Sequence, residues 1–243
     1  MPDKPRYTIL GSGRWAHILV EILNGIGRQA AMIGSIRRQP DESDISYRAR
    51  LTDRLSGAGD IVWIAVPPGP HSVAMVEAAL DAGRHIIVEK PWPADPSQSR
   101  FIETRAAMLG LRCAVHFQYL FLDAIQSLRA TGNDGADMVF SGQFTIARAS
   151  ANGVPAGPNL GSHLVSLWRV AFPAAALGSL VVGYEQVNRR MMCLESEEAT
   201  RMVDFTDNAE PIIQRFIKAF ETGTPGLVGL SLAAEIGEIA ACL

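Results

Sequence analysis

Two stretches carry residues suited to chemistry on a small molecule: Gly11-Ser12-Gly13-Arg14-Trp15-Ala16 and Glu89-Lys90-Pro91. In the first, a β-branched and apolar run, Tyr7-Thr8-Ile9-Leu10, leads into the glycines. Helical apolar spacing follows at Ala16, Leu19, Leu23 and Ile26. This reads as strand, tight turn and helix, although an ordinary βα turn shares the glycines. Gly11 permits the turn, Gly13 lets backbone approach a pyrophosphate, and Ala16 lets helix and strand pack closely. The free N–H groups and partial positive charge of the helix start would attract the phosphates. In the second stretch, a lysine follows the apolar run His85 to Val88. A solvated loop lysine is the plain alternative. Buried beside other cationic groups, such an amine would titrate nearer working pH and exchange a proton with an alcohol or carbonyl oxygen. Pro91 biases Lys90 toward extended backbone.

Other residues extend the dinucleotide reading. After the strand Ala30 to Ile33 come Ser35, Arg37 and Arg38, with no acid before Asp41. An acidic side chain here would accept from a ribose 2′-hydroxyl, whereas Ser35 with Arg37 or Arg38 suits a 2′-phosphate. NADP(H) is therefore favoured over NAD(H). The strand Asp60 to Val66 runs into Pro67-Pro68-Gly69-Pro70-His71. The prolines fix φ, so Val66, Pro67 and Pro68 are expected to form a stiff wall beside the nicotinamide. His71 starts a helix, where it serves packing or the cofactor.

The strands Tyr7 to Leu10, Ala30 to Ile33, Asp60 to Val66, His85 to Val88 and Arg112 to His116 alternate with helical patterns, which specifies an α/β, doubly wound parallel sheet. One expected helix, His71 to Ala82, stops at Gly83. Another starts with Asp95 as cap and Pro96 at the first position, and buries Phe101, Ile102, Ala106 and Leu109. After Phe121 the pattern changes. Strands are expected at Asp137 to Ala147, Ser179 to Val187, Arg190 to Glu195 and Thr200 to Phe205, the last three as an antiparallel meander. Helices are expected at Ser162 to Phe172, Ala209 to Thr222 and Leu230 to Leu243. The division is placed near Leu120, giving a dinucleotide-binding domain over 1–120 and a substrate-binding domain over 121–243.

Composition narrows the class. A net charge of −3 and 48 % apolar residues offer no electrostatic case for nucleic acid or anionic membrane. The polar start, Met1-Pro2-Asp3-Lys4-Pro5-Arg6, is unlike a secretion signal, and no apolar run reaches the roughly 20 residues that span a bilayer. A cytoplasmic location is the expectation. Cys113, Cys193 and Cys242 are odd in number and far apart, which argues against a disulfide framework or a zinc site, so no metal is expected.

Gly11-Ser12-Gly13-Arg14-Trp15-Ala16, then Ala65-Val66-Pro67-Pro68-Gly69-Pro70-His71, then Ala79 to His85 running into Glu89-Lys90-Pro91, together resemble the glucose-fructose oxidoreductase and inositol dehydrogenase (Gfo/Idh/MocA) family. The likeness is close from Tyr7 to about Gln118 and looser beyond. It implies a Rossmann domain followed by a smaller α/β domain on a mostly antiparallel sheet, whose open face joins copies into a dimer or tetramer. It also implies a small-molecule substrate. By the same resemblance Lys90 works with a histidine at the start of a helix in the second domain, here His163 in Gly157 to Leu167. The acidic position four residues before it is Asn159, and Ser166 stands at another commonly acidic place. The catalytic set implied is thus Lys90, His163 and Asn159, with a polar but uncharged face. An amide supplies hydrogen bonds without raising a neighbouring base's pKa. His116, Gln118 and Tyr119 follow the last Rossmann strand, where the family turns toward substrate, so His116 and Tyr119 join Asn159 and His163 as expected substrate contacts.

The expected activity is hydride transfer between the nicotinamide and a carbonyl or carbinol carbon of a small polar substrate, or reduction of a C=N bond. The alternative is a non-catalytic NADP(H)-binding regulator or subunit, favoured by the missing acid and the short second domain.

Overall fold

Apolar runs without a polar face form β1 (Tyr7–Leu10), and the later strand Ile61–Ile64 is likewise buried throughout. Such strands suit a sheet covered on both faces. The computed structural model describes residues 4–34, 36–131, 135–147, 155–185, 187–224 and 226–243. They fall into two compact units, Met1–His116 with Ile217–Ala234 and Phe117–Phe216 with Glu235–Leu243. Where the sequence reading drew one division near Leu120, the chain divides at His116, and residues 217–234 return to the first unit. Tyr7 there donates to Glu221 at 2.8 Å, and Arg28 grips the same carboxylate at 2.7 and 2.6 Å.

In the first unit, α1 (Arg14–Gly25), β2 (Ala30–Ile33), α2 (Asp44–Ser56), β3 (Ile61–Ile64), α3 (Pro70–Asp81), β4 (His85–Val88), α4 (Pro96–Met108) and β5 (Cys113–Val115) follow β1. The strand order is β2-β1-β3-β4-β5, and every pairing is parallel. From β1 the chain moves one way to β2 and then crosses to β3 on the other side. The topological switch therefore lies between β1 and β3, where such sheets bind ligands at the strand carboxyl ends. α2 was not singled out from sequence: its buried Tyr47, Leu51 and Leu55 are set among charges. Asp95 caps α4 as expected, accepting from the N–H groups of Ser97 and Gln98. The helix buries Ile102 and Ala106, but Phe101 and Leu109 point outward, against expectation. Their neighbours at helical spacing already fill the face against the sheet.

In the second unit, a short 3₁₀ turn (Gln118–Phe121) precedes α5 (Asp123–Ala130) and β6 (Val139–Ile146). A helical stretch, Gly157 to Ala171, has α6 (Ser162–Ser166) at its centre. Then come β7 (Ala176–Tyr184), β8 (Arg189–Glu195) and β9 (Thr200–Asp204); α7 (Ile212–Thr222) and α8 (Leu230–Ala241) close the chain, and residues 217–234 of this last stretch belong to the first unit. The order is β7-β6-β8-β9. β8 pairs antiparallel with β6 and β9, but β7 runs parallel to β6, so the three-strand meander holds only for β8 and β9. The cause is the helical crossover between β6 and β7, since a long connection is what a parallel pair needs. Phe140, Phe144, Met192 and Leu194 line the buried face. Gly142 admits Leu164 there, because a Cβ would come within 2.8 Å of its Cδ2. By register the opposite face carries Val139, Val181, Met191, Cys193 and Met202, of which Val139, Val181 and Met202 are exposed.

Candidate active site

Gly11 leaves β1 at φ +142°. Its N–H donates to the Ile33 carbonyl at 2.9 Å, while the Ala65 N–H closes onto Leu10 at 2.8 Å. A Cβ on Gly11 would overlap the Ala65 carbonyl oxygen, so backbone angle and space both demand glycine. Gly13 caps α1, and nothing lies within 4 Å of where its Cβ would be. Ser12, Gly13 and Arg14 are exposed, and Ala16 is buried on the sheet. No acid stands in the first turn of α1, so the partial positive charge of the helix start is not offset there.

Beyond β2, Ser35 lies outside the described residues. Arg37 and Arg38 are exposed. The Arg38 guanidinium donates to the Glu42 carbonyl at 2.8 and 2.6 Å and meets Asp44 at 2.6 Å. Arg50 grips the Glu42 carboxylate at 2.8 and 2.7 Å and donates to the Arg37 carbonyl at 2.9 Å. The Arg50 hydrogen bond, more than any other contact, draws the Glu42 carboxyl down to about 2. Arg38 is thus a brace of this loop. After β3, Val66 and Pro68 are half-buried and Pro67 exposed, and His71 lies in the first turn of α3 behind Pro70.

Glu89 follows β4 and is the centre of a buried cluster. Its Oε1 accepts from Trp63 Nε1 at 2.9 Å and lies 3.0 Å from His116 Nδ1. Trp63 meets the His116 ring edge-on at 4.9 Å, and Trp15 stacks on it at 6.3 Å. Burial would raise the Glu89 carboxyl, but the charge and hydrogen bond of His116, with Trp15 and Trp63, hold it below the usual range. Burial draws the adjoining Lys90 ammonium down to about 8, although Glu89 acts the other way. The Lys90-Pro91 bond is cis. His116, expected to face substrate, is wholly buried against Glu89.

In the second unit His163 is buried in an aromatic box. Phe144 stacks on its ring at 5.1 Å, and Tyr119 and Phe117 meet it edge-on at 4.7 and 6.4 Å. Burial raises the Tyr119 hydroxyl despite the opposing Arg190 charge. Asn159, half-buried one turn before His163, donates to the Tyr184 hydroxyl at 2.7 Å. Ser166 turns back to the His163 carbonyl at 2.7 Å. Asn159, His163 and Ser166 do share one helical stretch, and Tyr119 joins His163.

Residues 6–117 match the Gfo/Idh/MocA profile, an oxidoreductase family with an NAD-binding Rossmann fold. By these residues the chain carries the Rossmann domain of that family. It is an NAD(P)-dependent oxidoreductase, as the resemblance implied. No curated protein matches the sequence significantly. Among solved structures the chain is similar to UDP-N-acetylglucosamine 3-dehydrogenase GnnA from Acidithiobacillus ferrooxidans, with 17 % identity over 98 % of this chain and 96 % of that one and a TM-score of 0.79. It is also similar to the WlbA (WbpB) dehydrogenase from Thermus thermophilus in complex with NAD and UDP-GlcNAcA, with 17 % identity, coverage of 98 % and 94 %, and a TM-score of 0.74. A third is KijD10, a 3-ketoreductase from Actinomadura kijaniata in complex with TDP-benzene and NADP, with 15 % identity, coverage of 99 % and 97 %, and a TM-score of 0.66. At these identities the three share a fold with this chain.

Two residues at the candidate site escape the sequence reading. Trp63 left a signal, since an indole N–H in a fully apolar strand must find an acceptor. Tyr184 left none, because a tyrosine on a strand reads equally well as surface packing. Among the described residues no helix is long and apolar enough to cross a membrane, and no three His, Cys, Asp or Glu side chains gather as a metal site.

Proposed function

We propose that the chain transfers hydride between NADP(H) and a carbonyl or carbinol carbon of a small polar substrate, with Lys90 as the proton carrier. The observation that carries this reading is Lys90 itself. It follows β4, its charge is disfavoured by burial, and its pKa is about 8, close to where a general acid or base is most effective.

The open space at Gly13 fits a pyrophosphate on the start of α1. Gly11, Ser12, Gly13, Arg14, Trp15 and Ala16 would hold the dinucleotide there, with Val66, Pro67, Pro68, His71, Glu89 and Lys90 on the nicotinamide side. When bound, the nicotinamide supplies or takes the hydride at C4. Lys90 gives a proton to the developing alkoxide in reduction and takes it in oxidation. His163 assists, and Asn159, with Tyr119, holds the substrate. Ser35 and Arg37 favour the 2′-phosphate, while Arg38 shapes the loop that carries them.

A nucleotide-linked or free sugar is the favoured substrate class, in keeping with the UDP-sugar relatives. Copies pair through the outer face of the second sheet, where Val139, Val181 and Met202 are exposed. The test is oxidation or reduction of cofactor with a panel of ketoses, sugar nucleotides, cyclitol ketones and cyclic imines. Turnover of one class, abolished in Lys90→Ala, is expected. Tight NADPH binding with no turnover anywhere would make the chain a sensor.

A further inference from the structure

A buried carboxylate is costly unless hydrogen bonds replace its water, and apolar packing of similar volume often does as well for stability. Glu89 nevertheless occupies such a place, next to Lys90. Its two described donors cannot swing away, because Trp63 and His116 are both 0 % exposed. They meet one oxygen at 2.9 and 3.0 Å and pack against each other edge to face. Trp15 comes from the first turn of α1, directly after the glycines, and stacks on His116 with the planes 22° apart.

We infer that Glu89 is a positioning residue for Lys90: the chain Trp63, Glu89, His116 fixes a carboxylate beside the lysine, and Trp15 against His116 ties it to the glycine turn. Four elements therefore meet in this cluster, two of them at one carboxylate oxygen. β3 supplies Trp63, β4 leads to Glu89, His116 follows β5, and Trp15 belongs to α1. The carboxylate cannot follow Lys90 if the lysine moves, so the amine has one electrostatically favoured place. A fixed charge needs no reorganisation when a proton is transferred.

The sign of its effect is definite. Glu89 favours the ammonium, and burial opposes it. Among the described residues that face the carboxylate from β3, β5 and α1, His116 is an ionisable side chain and the indoles of Trp63 and Trp15 are not. Neutralising Glu89 leaves the opposing burial unbalanced, so Lys90 loses its proton at lower pH. In reduction the alkaline limb of the rate profile moves down, and in oxidation the acid limb moves down with it.

This inference rests on Lys90 being the proton carrier. The experiment is the pH profile of kcat for Glu89→Gln in the intact protein, with the Kd for NADPH measured by fluorescence. A limb lowered by about one unit at saturating NADPH is expected, whatever the change in Kd. An unmoved limb overturns the inference, whether or not NADPH binding weakens. If Glu89→Gln does not fold, Glu89→Asp keeps the charge but withdraws it from its donors. Its kcat at saturating NADPH should fall about tenfold, and an unchanged kcat overturns the positioning role. Lys90→Met separates the two readings. Turnover in that variant refutes Lys90 as the carrier, whereas inactivity with an unmoved Glu89→Gln limb refutes only Glu89.

Discussion

Asn159 donates its side-chain N–H to the hydroxyl of Tyr184 at 2.7 Å. A carboxylate at this position, as the family resemblance leads one to expect, could not donate and would instead accept from the phenol. The amide therefore reverses the hydrogen bond between the helical stretch before α6 and the end of β7. It does so without adding a charge to the face that bears His163.

The pair should act as a unit on substrate. A hydrogen bond between neutral groups contributes about 1 kcal/mol, so Tyr184→Phe is expected to lower kcat/KM roughly fivefold. In an Asn159→Ala background the same change should add almost nothing. A double-mutant cycle on kcat/KM, with cofactor saturating, checks this. Independent effects would mean that the two side chains serve substrate separately.

The Rossmann half was legible because its signals are local. Gly11 and Gly13 mark a turn that needs glycine, Asp95 and Pro96 mark a helix start, and apolar runs mark strands buried on both faces. Helix α2 was missed because Tyr47, Leu51 and Leu55 are separated by charges that pair elsewhere. The second half depends on contacts distant in sequence. Nothing near Ala176 says that β7 will lie beside β6, and nothing near His116 says that its ring will meet Glu89. For the same reason Arg38 looked like a phosphate ligand until its fork was found on Glu42 and Asp44.

Gly11→Ala should harm both fold and binding. The new Cβ meets the Ala65 carbonyl at a φ that side chains rarely adopt. Such strain and overpacking cost about 2 kcal/mol or more. Thermal unfolding should show Tm lowered by roughly 5 °C, and fluorescence should show NADPH binding weakened at least tenfold. Normal binding would remove the turn from the cofactor site.

The two arginines after β2 should separate by effect. Arg37→Ala removes an exposed cation and should weaken NADPH about tenfold while sparing NADH, since charged hydrogen bonds contribute about 1.5–3 kcal/mol. Arg38→Ala removes the brace on Glu42 and Asp44, so both cofactors should weaken together. Kd values for the two nucleotides across both variants decide the matter. Equal loss of NADPH and NADH in Arg37→Ala would overturn the NADP(H) preference.

Lys90 should trade stability for activity. Burial takes its ammonium from the usual 10.5 to about 8. Between those values the unfolded chain holds a proton that the folded chain has released, so folding stability rises with pH across the window. Below about 8 both states are protonated, and the full cost of burying the charge is borne. Lys90→Met removes that cost. Its Tm at pH 7 should exceed that of the natural sequence, and the advantage should shrink toward pH 10. The same variant should lose roughly a hundredfold or more in kcat, the usual contribution of a positioned acid or base. Differential scanning calorimetry at pH 7, 9 and 10, together with kcat, tests both halves. A variant no more stable at pH 7 would show that Lys90 is well solvated, and retained kcat would show that the proton travels elsewhere.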